Sequence, residues 1–163
     1  MSRIATTLAL LLLLSAGVTT TLADTLTGTV VKIVDGDTLH LLTADTTRHK
    51  IRLAGIDAPE RGQAFGTKSK DRLATLVAGE MVEVDWQKRD RYKRIIGKIT
   101  RAGEDVNLEM VRAGLAWWYR KYAHEQSPED QHAYETAEDE ARRSWAGLWR
   151  DPNPIPPWAY RRR

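Results

Sequence analysis

The 163-residue chain has no cysteine. That excludes disulfide cross-links, thiol nucleophiles, zinc-thiolate centres and a lipid-modified N-terminal cysteine together, and leaves the fold to rest on packing. Its four histidines, His40, His49, His124 and His132, lack the close spacing of a zinc site and read as surface or strand-side residues. No internal repeat is present, and the net charge of +3 is too small to indicate a polyanionic partner by itself.

Long apolar runs are equally scarce. The most apolar stretch, Leu8–Leu14, follows Met1-Ser2-Arg3 and precedes the small-residue sequence Thr21-Leu22-Ala23, the order of a secretory signal peptide cleaved after Ala23. A membrane span would need about 20 apolar residues, and here Ser15, Gly17 and three threonines interrupt the run. The expected protein is therefore exported, secreted or periplasmic, with no membrane anchor after cleavage. Removing 23 of 163 residues leaves 140, beginning at Asp24, enough for one small domain that we read as a monomer.

Charge is unevenly placed. Between Lys88 and Arg101 seven lysines and arginines face the lone acid Asp90, whereas Glu125–Glu140 holds seven acids and no lysine or arginine. A basic patch attracts polyanions by releasing their counterions, although charge runs are also the ordinary solvated faces of strands and helices.

The hydrophobic pattern predicts strands at Leu26–Val34, Thr38–Leu42 and Arg48–Leu53, a meander, followed by a helix over Gly66–Ala78 that Gly79 ends. Period-two alternation over Met81–Trp86 and Arg94–Thr100 gives two more strands, and Asn107–Ala113 a short helix. Ser127-Pro128-Glu129-Asp130 is a capping box with proline at the first helical position; it opens a helix to about Trp145 with Ala133, Ala137, Ala141 and Trp145 on one face. Trp86, Trp145 and Trp149 are expected in the core. The fold class is α+β, mostly β: a five-stranded OB-type Greek-key barrel with three helices over residues 24–150. Residues 151–163 carry four of the six prolines and end in Arg161-Arg162-Arg163; they are expected to form an extended tail separate from the barrel, able to touch a polyanion.

Two short clusters carry the chemistry. Asp35-Gly36-Asp37-Thr38 and Arg52-Leu53-Ala54-Gly55-Ile56-Asp57-Ala58-Pro59-Glu60 supply four carboxylates and an arginine, groups that suit a hard cation and a phosphate. Taken singly, Asp35-Gly36 reads as a hairpin turn and Asp57–Glu60 as a loop. Together with Asp90-Arg91-Tyr92-Lys93-Arg94 they resemble the motifs of the staphylococcal nuclease (thermonuclease) family, and the resemblance spans roughly Leu26–Trp149.

That resemblance implies a calcium-dependent endonuclease that hydrolyses DNA and RNA with little sequence specificity and leaves 3′-phosphate ends. It implies Ca²⁺ bound by the Asp37 and Asp57 carboxylates and the Ala58 main-chain carbonyl, with Asp35 in the outer sphere. Glu60 would act as general base, and Arg52 and Arg94 would grip the phosphate. Substrate contacts fall to Tyr92, Lys93, Tyr119 and Tyr122. Lys93 stands where the family commonly has glycine, a change that matters if the backbone needs positive φ there. The rival readings are a non-catalytic nucleic-acid- or protein-binding module on the same barrel, which loss of the carboxylates would have signalled, and an oligosaccharide-binding barrel, which would not need them.

Overall fold

The computed structural model describes residues 24–163, so the expected signal peptide and its cleavage site lie outside the described residues. The chain runs β1 (Asp24–Ile33), β2 (Thr38–Leu42), β3 (Arg48–Leu53), β4 (Ile56–Asp57), α1 (Gly66–Val77), β5 (Met81–Arg89), β6 (Ile95–Arg101), β7 (Glu104–Asp105), α2 (Val106–Arg112), β8 (Trp117–Trp118), α3 (Pro128–Arg143) and α4 (Pro157–Tyr160). None of these helices is long and apolar enough to cross a membrane.

Strands β3-β2-β1-β5-β6 pair in that order, and β3 meets β6 in parallel register, Ile51 opposite Ile95, which closes a five-stranded barrel. Alternation decides what fills it. β5 turns Val82 and Val84 inward and leaves Met81, Glu83 and Asp85 outside, while β3 buries Ile51 and Leu53 and leaves Arg48 and Lys50 in water. Register shifts in β1 at Val30/Lys32 and in β5 at Trp86/Lys88 supply the extra bend that closure of a small barrel requires.

The parallel seam is short, and a buried side chain reinforces it. Asn107, wholly inaccessible at the start of α2, accepts from the Ile99 N–H at 3.1 Å and donates to the Ala54 and Gly97 carbonyls at 3.0 and 3.1 Å. Asp105 caps α2 by accepting the Leu108 N–H at 2.9 Å and also receives the Tyr134 hydroxyl at 3.0 Å, so one carboxylate ties α2 to α3. Ser127 caps α3 as expected, its Oγ accepting from the Asp130 N–H at 3.1 Å, but the Asp130 carboxylate binds Lys98 and does not complete the box.

The acidic run is only partly a solvated face. Glu138 is completely buried, where it accepts the Trp118 N–H at 3.1 Å and pairs with Arg120 at 2.6 Å and Arg142 at 3.2 Å. Asp130 likewise binds Lys98 at 2.7 Å. Of the tryptophans expected inside, Trp149 is buried and Trp86 half-buried, but Trp145 is 60% exposed. Helix α3 ends at Arg143, and a φ of 54° at Trp145 turns that side chain away from the alanine face.

The C-terminal segment departs most from expectation. It is neither extended nor separate: Pro157 occupies the first position of α4, where its missing N–H leaves no hydrogen bond unmade. Trp158 stacks on Tyr119, ring centroids 5.1 Å apart at 11°, and meets Trp117 edge-on at 5.6 Å. Tyr160 donates its hydroxyl to the Gly62 carbonyl at 3.1 Å, and Gln63 donates to the Ile155 carbonyl. Trp117, Ala141, Leu148 and Trp149 thus form a second apolar cluster against which Trp158 and Phe65 pack.

Candidate active site

The β1–β2 turn presents the first acids. Val34 N–H and Asp35 N–H both donate to the Thr38 carbonyl, and Asp35 Oδ1 accepts the Asp37 N–H at 3.1 Å, which fixes the turn. Gly36 is there for space: a β-carbon on it would lie 1.9 Å from Ser69 Oγ of α1 and 2.8 Å from the Ala58 β-carbon. Asp37, 7% exposed, accepts the Ala58 N–H at 2.8 Å and the Thr38 hydroxyl at 3.0 Å, so the second acidic cluster is hydrogen-bonded directly to the first.

Asp57 lies on β4, which pairs with β8 opposite Trp117, and it is inaccessible to solvent. Arg52 joins the acids: its Nη2 lies 2.8 Å from Asp57 Oδ1 and 3.1 Å from Asp37 Oδ2, while Nη1 donates to the Leu53 and Ile56 carbonyls at 2.8 and 2.9 Å. These contacts of the arginine expected on the phosphate are all to the protein itself. Glu60 follows in a loop held by Gln63, whose Oε1 accepts the Glu60 N–H at 3.1 Å; α1 starts so close beneath that a β-carbon on Gly66 would lie 2.0 Å from the Glu60 carbonyl oxygen.

The opposite wall comes from the β5–β6 hairpin. Asp90 Oδ1 accepts the Tyr92 and Arg94 N–H groups at 2.9 Å each, and Asp90 Oδ2 receives Arg94 Nε at 2.7 Å. This contact uses Nε and leaves the terminal amino groups of Arg94 for another anion. Burial raises the Asp90 pKa and the bonds from Arg94 lower it, with the lowering dominant. Lys93 adopts φ 62°, the left-handed conformation that glycine takes at little cost, so the hairpin keeps its shape with a lysine in place. The Arg91 and Arg94 guanidinium groups lie 4.8 and 5.5 Å from the Tyr92 ring centre.

Between the walls is an open cleft of about 760 Å³ that Asp35, Asp37, Arg52, Asp57, Ala58, Glu60, Tyr92, Arg94, Tyr119 and Tyr122 all line. Every site residue predicted from the sequence is there except Lys93, which is exposed on the hairpin and does not line it. Tyr119 and Tyr122 meet edge-on at 5.1 Å, and Trp117 and Trp118 beside them are both buried.

Among the lining residues that the sequence did not single out, one binds the central acids. Arg161, just after α4, donates from Nη2 to Asp57 Oδ2 at 2.7 Å, and from Nη1 to Asp57 Oδ1 at 3.2 Å and Glu60 Oε1 at 2.6 Å. Only the triplet Arg161-Arg162-Arg163 behind Trp158 and Tyr160 hinted at a role, and nothing local could place it on an acid about a hundred positions earlier.

The electrostatics are those of crowded acids. Burial, with the adjacent Asp37 charge, pushes the Asp35 carboxyl up to about 6. Burial also raises Asp57 and outweighs the opposing pull of Arg161 and Arg52, while the bond to Asp57 raises Arg161 further above its already high value. Among the described residues no three acidic or histidine side chains converge into a metal centre. The expected cation set needs fewer, two carboxylates and a main-chain oxygen. The donors fit a hard cation on two counts: all are oxygens, and a positive group, the Arg161 guanidinium, already rests on Asp57.

A closed five-stranded barrel with buried carboxylates and arginines converging on an open cleft defines a barrel protein built to handle an anionic phosphate ester. The chain belongs to the staphylococcal nuclease family: the sequence profile described as "Staphylococcal nuclease homologue" matches residues 50–151. It is 44% identical over 133 residues to a Haemophilus influenzae protein named "Uncharacterized endonuclease", covering 82% of this chain and 71% of that one. It is 44% identical over 144 residues to the "Micrococcal nuclease" of Shigella flexneri, covering 83% and 80%. "Protein ParB" of Escherichia coli is 40% identical over 146 residues, covering 84% and 80%.

Proposed function

We propose that this protein is an exported, calcium-dependent nuclease that hydrolyses DNA and RNA phosphodiesters with little sequence preference and leaves 3′-phosphate ends. The observation that carries the reading is the convergence of Asp37, Asp57, Glu60, Arg52 and Arg94 on one open cleft from four separate segments. Calcium bound by Asp37, Asp57 and the Ala58 carbonyl supplies positive charge to the scissile phosphate and lowers the cost of ionising water.

The chain's own residues do the rest. Glu60, whose side chain is 39% exposed, can reach a water in the cleft and take its proton as that water attacks phosphorus. Arg94 offers its free terminal nitrogens to the phosphate oxygens, where a planar fork matches two oxygens and holds its charge throughout. Arg52 orients the two aspartates through its terminal nitrogens. Tyr92 and Tyr122, both exposed, offer aromatic faces to unpaired bases, whereas one face of Tyr119 is already covered by Trp158. Because such contacts read charge and stacking and leave base edges unread, they favour single-stranded or frayed chains over any sequence.

The test is cleavage of DNA and of RNA with calcium, with magnesium and with excess chelator. Calcium-dependent cleavage of both is expected, with magnesium a poor substitute because it demands stricter octahedral geometry. Undiminished cleavage in chelator would sink the metal assignment. Export is tested separately, by mass spectrometry of protein recovered from the producing cell, where a chain starting at Asp24 is the expected result.

A further inference from the structure

The cleft contains a cationic group that the proposed chemistry does not use and that lies where the chemistry needs room. Both oxygens of Asp57 receive the Arg161 guanidinium, Oδ2 at 2.7 Å and Oδ1 at 3.2 Å, and Oδ1 is further shared with Arg52 at 2.8 Å. A carboxylate so engaged has about one of its four lone-pair sites left, on Oδ2, and a guanidinium charge lies directly beside it. The same guanidinium binds Glu60 Oε1 at 2.6 Å, so it bridges the two acids and occupies one of the Glu60 oxygens.

The contact is built as well as charged. Trp158 is stacked on Tyr119, Tyr160 is bonded to the Gly62 carbonyl, and the Ile155 carbonyl takes the Gln63 amide, so α4 delivers Arg161 to the cleft at a fixed distance. Anchoring of this kind gives the guanidinium a high effective concentration at Asp57. A divalent cation next to it would meet a like charge at contact range.

We propose that the C-terminal segment is an internal competitor of the active-site cation: Arg161 and a divalent cation take Asp57 in turn, and the resting enzyme is held closed by its own tail. The inference rests on the cation reading above. Occupation of Asp57 by Arg161 reduces the apparent cation affinity by the fraction of molecules in which the tail is away. Loading the cation must in turn loosen the tail, since coupling between two ligands of one site is reciprocal.

The experiment is isothermal titration of the full chain with calcium chloride, comparing the parent, Arg161→Gln and Arg162→Gln. Arg162→Gln removes the same charge from the neighbouring position, which is exposed. Arg161→Gln should bind calcium at least about tenfold more tightly than the parent, with Arg162→Gln near the parent. Hydrogen exchange of the 158–161 amides in the parent should quicken when calcium saturates. Equal calcium affinity in parent and Arg161→Gln overturns the competition and leaves the cation reading standing. An equal gain in both variants also overturns it, since bulk charge would then be the cause. Calcium binding by none of the three overturns it together with the cation reading.

Discussion

Glu60 and Asp57 sit three positions apart and live in different environments: Asp57 is sealed from water, whereas the Glu60 side chain is 39% exposed. That contrast separates a carboxylate that only its protein partners touch from one that water can reach. Glu60→Gln keeps size and hydrogen bonding but removes the basic oxygen, so turnover should fall by about 10²–10⁴ with little change in substrate binding. Kinetics within a few-fold of the parent would return Glu60 to the rank of a loop residue. At Lys93 the left-handed backbone carries a cost of about 1 kcal/mol that glycine does not bear. Lys93→Gly should therefore raise the urea midpoint and leave cleavage intact, because Lys93 does not line the cleft. Tyr134 offers a pH signature of folding. Burial, and then the Asp105 charge, raise its pKa well above the usual value. Its contribution is whole below about pH 10, the unfolded value, and declines as pH climbs past it. Tyr134→Phe should flatten that alkaline decline in urea-unfolding free energy, and a slope equal to the parent's would exclude Tyr134 as its source. The acids of the site were legible in the sequence because each pair lies within three residues of a turn or loop. Arg161 was not, because its meaning depends on a fold that brings it back to Asp57.

Elements read from period-two and helical spacing were found within a few residues of their expected ends, since β5 and β6 are half-buried and their pattern is set by burial. The burial of Glu138 in the acidic helix and the packing of the proline segment were not legible for one shared reason. Composition suggests what water would accept, but neighbours decide: two arginines hold Glu138 inside, and Tyr119 and Trp117 hold Trp158. Pro157 is buried and Trp158 half-buried, so deleting residues 151–163 removes packing as well as charge. Losing it should lower stability by about 2 kcal/mol, the scale of one large apolar side chain returned to water, and denaturant unfolding would measure it. An unchanged midpoint would show that α4 contributes nothing to the domain.

At the scale of the whole molecule, the barrel keeps the site together because three of the four segments that line the cleft hang from its closed sheet. The Asp37 turn joins β1 to β2, Arg52 is on β3, and the Arg94 hairpin joins β5 to β6; the β3–β6 seam keeps the last two in register. Binding a cation to such a frame stabilises it by mass action. Calcium at about a hundred times its dissociation constant should add about 2.7 kcal/mol to the unfolding free energy, read as a rise in melting temperature that Asp57→Asn abolishes. A melting temperature indifferent to calcium would separate this protein from the chemistry its cleft suggests.

Two glycines extend that reasoning to inheritance. Neither Gly36 nor Gly66 has a left-handed backbone, yet a β-carbon on either would collide at about 2 Å, with Ser69 Oγ in one case and the Glu60 carbonyl in the other. Gly79 and Gly103 have the left-handed backbone with nothing within 4 Å, so only their conformation is constrained. In a library of every single substitution selected for activity, positions 36 and 66 should therefore be as intolerant as Asp37 and Glu60, while 79 and 103 still admit asparagine. A tolerance map alone would count Gly36 and Gly66 among the residues that line the site, though what they supply there is the absence of an atom.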